Sequence, residues 1–305
     1  MEFTSFTTLV KNEVEKRAGE SYKVRLNDVR KNNGVVLKGL TVMQEDSNIS
    51  PTIYLNSYYQ AYEEGLITLR YVVNDVMDTY NRNKVNRSID MRYFLDYESI
   101  KSSIVYKLVN TAKNKELLED VPHLEFMDLS IVFQSLITRE SSGIASILVH
   151  NAHLKLWDVS LEELYRAARD NTQQLLGYEI KSMKESLYEM MCEEQLEELD
   201  YDQNMLEMED NIPLYVLSNK NKIEGASCIL YPKLIKDFAD AIGSNLYIIP
   251  SSIHEVLLLP STEMIEVGEL KDMIREINDT QVKIEEILSY SLYFFDRDRG
   301  KMVQM

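Results

Sequence analysis

The chain has 305 residues, enough for about two domains with cores of their own. With 45% of it apolar and 27% charged, its balance is that of a globular protein and excludes a disordered or fibrous one. The formal net charge of −17 is concentrated in residues 185–210, which carry eleven Asp/Glu and no Lys or Arg; the rest holds 39 acidic against 33 basic residues and is only mildly acidic. Binding to nucleic acid or to an anionic membrane surface is not expected of such a chain, since phosphate contacts need clustered Lys and Arg.

In chain order, residues 3–18 set Phe3, Phe6, Leu9, Val10, Val14 and Ala18 on one helical stripe that Gly19 can end. Two β-favouring runs over 22–44 flank Asn33-Gly34, both tolerant of the positive φ that a hairpin turn demands. A short strand is expected at 51–55 and helices at 57–64 and 68–81. Residues 105–108 read as the start of a helix, 114–119 as a short helix, and 126–137 and 144–150 as strands joined by a polar turn. Asn151 and Ser160 are placed to cap two further helices, Ser160 in a capping box with Glu163. A third helix presents Ile180, Met183, Leu187, Met190 and Met191. After an acidic stretch, strands are expected at 214–218, 225–230, 245–249, 254–259 and 291–295, with helices at 231–242 and 266–278.

Strands and helices without strict βαβ alternation point to an α+β fold of two mixed units. The expected division is an N-terminal α+β domain over 1–192, an acidic linker over 193–212 and a C-terminal ββαββαβ-like domain over 213–305. The two cysteines, Cys192 and Cys228, suggest neither a disulfide framework nor a zinc knuckle, which favours a reducing cytoplasm. No signal peptide or membrane-spanning run is evident.

The strings KNNGVVLKGLTV, NISPTIYLNSYYQAY, ELLEDVPHLEFMDLSIVF, ILVHNAHLKLWDVSLEELYRAARDNT and CILYPKLIKDFADAIGSNLYIIPSSIHEVLLLP together resemble the domain-of-unknown-function family numbered 5688, from clostridial gut bacteria. The resemblance spans roughly residues 20–296 and implies no activity, ligand or catalytic residue.

Candidate sites therefore come from the residues alone. His150 and His153, three apart where a strand hands over to a helix, could share a divalent metal with Asp128 or Asp158 as a third ligand, the basis of a metal-dependent hydrolase. The commoner arrangement of such a pair is a strand end at His150, a cap at Asn151 and a surface His153. His254-Glu255 opens like a zinc-protease motif, but Leu258 stands where the second His is required. Ser252 and His254 share a strand face, which would let the imidazole reach the hydroxyl, or let His254 line the cleft of a small-molecule sensor in the C-terminal domain. His123 is expected in a surface ion pair. Neither a GxGxxG loop nor a P-loop occurs. Tyr58, Tyr59 and Tyr62, with Tyr54 close by, combine apolar rings with polar tips and suit a partner or ligand surface. On balance the sequence points to a cytoplasmic protein that binds a protein partner or a small ligand without catalysis of its own.

Overall fold

The computed structural model describes residues 1–45, 47–84, 91–140, 143–193, 213–261 and 266–305. The fold is α+β, with three antiparallel sheets. It divides into two compact units, Met1–Leu95 and Asp96–Met305. The break thus precedes the acidic stretch expected to separate domains, of which 194–212 lie outside the described residues.

In the first unit, helix α1 (Phe3–Ala18) is followed by the hairpin β1 (Tyr22–Arg30) and β2 (Val36–Gln44). Its turn has Asn33 at φ 59° and Gly34 at φ 71°, as the Asn-Gly pair anticipates. Strand β3 (Thr52–Tyr54) adds to β2, and helices α2 (Asn56–Glu63) and α3 (Leu69–Asn83) complete the unit. Thr68 caps α3 by accepting from the Tyr71 N–H. The apolar stripe of α1, Phe6, Val10 and Val14, packs with Val24, Leu40 and Val42 of the hairpin and Val72, Val73 and Val76 of α3.

The second unit opens with the short helix α4 (Tyr97–Ile100) and β4 (Ile104–Asn110). Residues 105–108 are strand, not the expected helix. All but Lys107 in IVYKLVN are buried, so both strand faces are covered and the period-two alternation that marks a half-exposed strand is lost. Next come α5 (Lys115–Asp120), β5 (His123–Phe126), β6 (Leu129–Glu140) and β7 (Gly143–Leu148). The single strand expected from 126 is interrupted by a turn with Met127 at φ 57°. Strand β6 is the centre of a four-stranded sheet, with β4 on one edge and β5 and β7 in succession on the other.

Helices α6 (Asn151–Trp157) and α7 (Leu161–Leu176) follow, the second with the expected Ser160/Glu163 capping box. Leu175 and Leu176 of α7 pack against Val105 and Leu136 of the sheet. Strand β8 (Glu179–Ser182) contains Ile180, which was expected on the following helix; α8 begins only at Met183 (Met183–Glu193). Strand β9 (Tyr215–Ser218) pairs with β8, so segments on either side of the acidic stretch share one sheet. Residues Gly225–Leu230 form a 3-10 helix in place of the expected strand. Five of the six are buried, and a short apolar run of that kind carries no period that separates strand from helix. Helix α9 (Leu234–Ile242), strands β10 (Leu246–Ile249) and β11 (Glu255–Pro260), helix α10 (Val267–Thr280) and strands β12 (Tyr293–Asp296) and β13 (Lys301–Gln304) complete the chain. The sheet order is β13-β12-β10-β11-β9-β8, and α10 packs Leu270 and Ile274 against Tyr247, Ile249 and Leu259.

The two sheets of this unit meet through polar contacts. Asp128 accepts from Ser289 Oγ (2.6 Å), Ser291 Oγ (3.1 Å) and the Tyr293 hydroxyl, while Asn110 Nδ2 donates to the Leu288 carbonyl (2.9 Å). No helix among the described residues is long and apolar enough to cross a membrane.

Candidate ligand cleft

A charged residue within a strand buried on both faces must find a counter-charge, because an unpaired charge away from water is costly. Lys107 of β4 meets this demand with Glu224: Nζ lies 2.6 Å from Oε1, and the side chains are 23% and 24% exposed. Gln134, buried on β6, donates from Nε2 to Glu224 Oε2 (2.6 Å), and Ser146 of β7 donates from Oγ to Gln134 Oε1 (3.0 Å). Burial alone would raise the Glu224 carboxyl, but the Lys107 ammonium, the Gln134 amide and nearby His254 hold it below the usual carboxylate range.

Glu224 reaches this position from a loop with little freedom. The Asn219 side chain accepts from the N–H groups of Asn221 (3.1 Å) and Ile223 (3.3 Å) and donates to the Ile223 carbonyl (2.7 Å). Lys222 and Glu224 are both left-handed at φ 53°, each a cost of roughly 1–2 kcal/mol for a residue with a Cβ. The loop is clamped to the start of β11: Ser218 Oγ donates to the His254 carbonyl (2.7 Å), the Glu224 N–H donates to His254 Nδ1 (3.2 Å), and the Ala226 N–H donates to the Ile253 carbonyl (3.1 Å). Gly225 permits that approach, since a Cβ there would stand 2.2 Å from Ser218 Oγ and 2.5 Å from the His254 carbonyl oxygen. Strain held by so many contacts is the kind that accumulates at functional sites.

Above the carboxylate lies a cavity of about 100 Å³, lined by Gln134, Leu136, Ser146, Leu176, Ile223 and Glu224. Gln134, Leu136 and Leu176 are buried in its floor and wall, and Ser146 and Ile223 form an exposed rim. A few-atom group with one polar end and an apolar flank matches this lining.

Of the residues singled out from the sequence, His254 contributes to the cleft from behind, holding the Glu224 backbone through Nδ1. Ser252 is buried, and its Oγ accepts from the backbone N–H of His254 (3.0 Å), so the contact joins hydroxyl to main chain and not to the imidazole. His150 and His153 do come together, with ring centroids 5.5 Å apart. His150, not Asn151, is the N-cap residue of α6, and its backbone N–H donates to His153 Nδ1 (2.9 Å); His150 Nδ1 lies 2.7 Å from Asp120. Both Nδ1 atoms are thus engaged. Burial, followed by the neighbouring His150, lowers the His153 pKa. Asp128 is taken up by its three hydroxyl donors, and Asp158 ends α6 in a left-handed conformation. Among the described residues no group of three or more His, Cys, Asp or Glu side chains is disposed to hold a metal ion. His123 Nδ1 lies 3.0 Å from the Val121 carbonyl.

The tyrosines pack in the first unit. Tyr59 lies against Phe3 and Phe6 (centroids 4.9 and 5.3 Å), Tyr62 against Phe6 (5.2 Å), and the Tyr58 hydroxyl bonds Asp75 (2.5 Å). Tyr59 follows Leu55 by one helical turn and so shares its inward face. Lys31 Nζ lies 4.2 Å from the Tyr54 ring centroid.

Lys107, Gln134 and Glu224 were not singled out from the sequence. A lysine inside IVYKLVN and a glutamine inside SIVFQSLI are signals, because a polar side chain among apolar strand neighbours needs a buried partner. The partner itself, in the polar loop NKNKIEG, has no local mark.

The model of a family of unknown function, DUF5688, matches residues 3–297, nearly the whole chain. The chain belongs to the DUF5688 family. No curated protein and no solved structure matches this DUF5688 protein.

Proposed function

We propose that this DUF5688 protein is a small-ligand-binding protein whose site is the cleft above Glu224. The observation that carries this is the Lys107–Glu224–Gln134–Ser146 chain, whose last three members line a cavity with one apolar wall. A buried ion pair contributes little net stability and is often matched by apolar residues of the same volume. Here its Glu224 end lines a cavity, on a strained loop held by His254. Such an arrangement presents oriented polar atoms to a guest at little reorganisation cost.

The test is thermal denaturation of the full chain with a panel of amines, acids, alcohols and amides of a few heavy atoms each. A ligand at ten times its Kd stabilises by about 1.4 kcal/mol, which in a unit of this size raises the Tm by roughly 3–6 °C. Ser146→Trp places an indole across the exposed rim, at the cost of the hydrogen bond from Ser146 to Gln134, and should abolish the effect. A panel in which no compound raises the Tm, or raises it equally in Ser146→Trp, overturns the proposal.

A further inference from the structure

We infer that the group recognised in this cleft is a primary alkylammonium on a short apolar stem; this rests on the cleft being a binding site, as proposed above. The direction of the hydrogen bonds decides the chemistry. Ser146 gives its proton to Gln134 Oε1, Gln134 gives an amide proton to Glu224 Oε2, and Lys107 donates to Glu224 Oε1. One amide proton of Gln134, the Ser146 hydroxyl proton and a Lys107 ammonium proton are thus turned along the chain toward the carboxylate, and the second Gln134 amide proton is the donor left over. What remains for a guest beyond that proton is acceptor capacity: lone pairs of the Glu224 carboxylate, the second lone pair of Gln134 Oε1 and those of Ser146 Oγ. A carboxylate or phosphate group would meet these acceptors and the like charge of Glu224 with a single amide proton of Gln134 to answer it, and Lys107 is not among the lining residues.

An ammonium nitrogen has three donors for three acceptor side chains, where a hydroxyl has one. Bonds from a charged donor to a carboxylate are also about twice as strong as neutral ones. The cavity of about 100 Å³ is roughly the share of three water molecules in the liquid, room for the nitrogen and a short alkyl stem. Leu136, Leu176 and Ile223 supply the apolar contact for that stem. Lys107 competes for the same carboxylate, so the guest shares the Glu224 charge with an internal ammonium of the same kind.

The experiment is isothermal titration of the full chain at pH 7 with n-butylammonium chloride, sodium butyrate and 1-butanol, three probes of similar length and different head group. n-Butylammonium should bind at one site, at least tenfold more tightly than 1-butanol, and butyrate should give no heat of binding. Glu224→Gln should weaken n-butylammonium at least tenfold, and Lys107→Met, by freeing the carboxylate, should tighten it severalfold. Circular dichroism verifies the fold of each variant; if Lys107→Met does not fold, the isosteric Glu224→Gln decides. Butyrate or 1-butanol binding as tightly as n-butylammonium, or an unchanged affinity in Glu224→Gln, overturns the ammonium assignment and leaves the cleft as a site. No binding of any probe, together with a fragment panel insensitive to Ser146→Trp, overturns both.

Discussion

Replacing Lys107 by Met removes one partner of the charge pair and leaves a side chain of similar length in the strand. Loss of one member of a fully buried pair costs about 3–5 kcal/mol, whereas exposed pairs are worth about 0.2–1 kcal/mol. With Nζ and Oε1 2.6 Å apart and the side chains about a quarter exposed, the pair lies between these limits. Gln134 still donates to Glu224 in the variant, which offsets part of the loss. The expected cost is about 2–3 kcal/mol, or a Tm lowered by roughly 4–12 °C for a unit of some 200 residues. Glu224→Gln should cost less, since Lys107 can carry its ammonium toward water on a flexible stem. The double variant should then be more stable than Lys107→Met alone, because no buried charge is left unpaired. Calorimetric and urea melts of the full chain measure all three. A Lys107→Met shift below about 1 °C, or strictly additive single variants, would refute the assignment of Glu224 as a desolvated carboxylate that depends on Lys107.

Three further outcomes are expected. His153 binds its proton less readily than the ordinary value of 6.5, so the unfolded chain holds more protons as pH falls; its contribution to stability is complete above about pH 6.5 and is lost as pH drops through the lowered folded value. His153→Gln, which keeps an acceptor for the His150 N–H, should flatten that part of a Tm-against-pH series, and an unchanged slope would contradict it. Gly225→Ala forces a methyl group against Ser218 Oγ, the Asn219 nitrogen and the His254 carbonyl, so it should destabilise by about 3 kcal/mol or more in urea melts; a near-neutral result would mean that the loop is not clamped. Asp128→Asn leaves one strong acceptor for three hydroxyl donors and should cost about 2 kcal/mol, against no more than about 1 kcal/mol for Ser291→Ala, a difference that equilibrium unfolding resolves.

Much of the secondary structure was legible because it is written locally. The stripe of α1, the Asn33-Gly34 turn and the Ser160/Glu163 box each depend on residues within a few positions of one another. The errors fall where burial removes the pattern. Ile104–Asn110 is covered on both faces, and Gly225–Leu230 is almost wholly buried, so neither displays a period. The site was less legible still. His254 accepts from the Glu224 N–H, and the carboxylate of the candidate cleft comes from a polar loop 117 residues after its lysine. Residue type alone does not separate such roles: His153 accepts a backbone N–H at a helix N-terminus, and Tyr59 and Tyr62 pack against Phe6. The better signal was a mismatch between residue and neighbourhood: Lys107 and Gln134 inside buried strands.

Binding at the Glu224 cleft is tested most directly by methyl NMR of the full chain with labelled Leu and Ile, titrated with n-butylammonium chloride. Saturable shifts at Leu136, Leu176 and Ile223, with Leu259 and Leu270 unmoved and the response lost in Glu224→Gln, are the expected result. Shifts absent from those three methyl groups, or unchanged by Glu224→Gln, would contradict it.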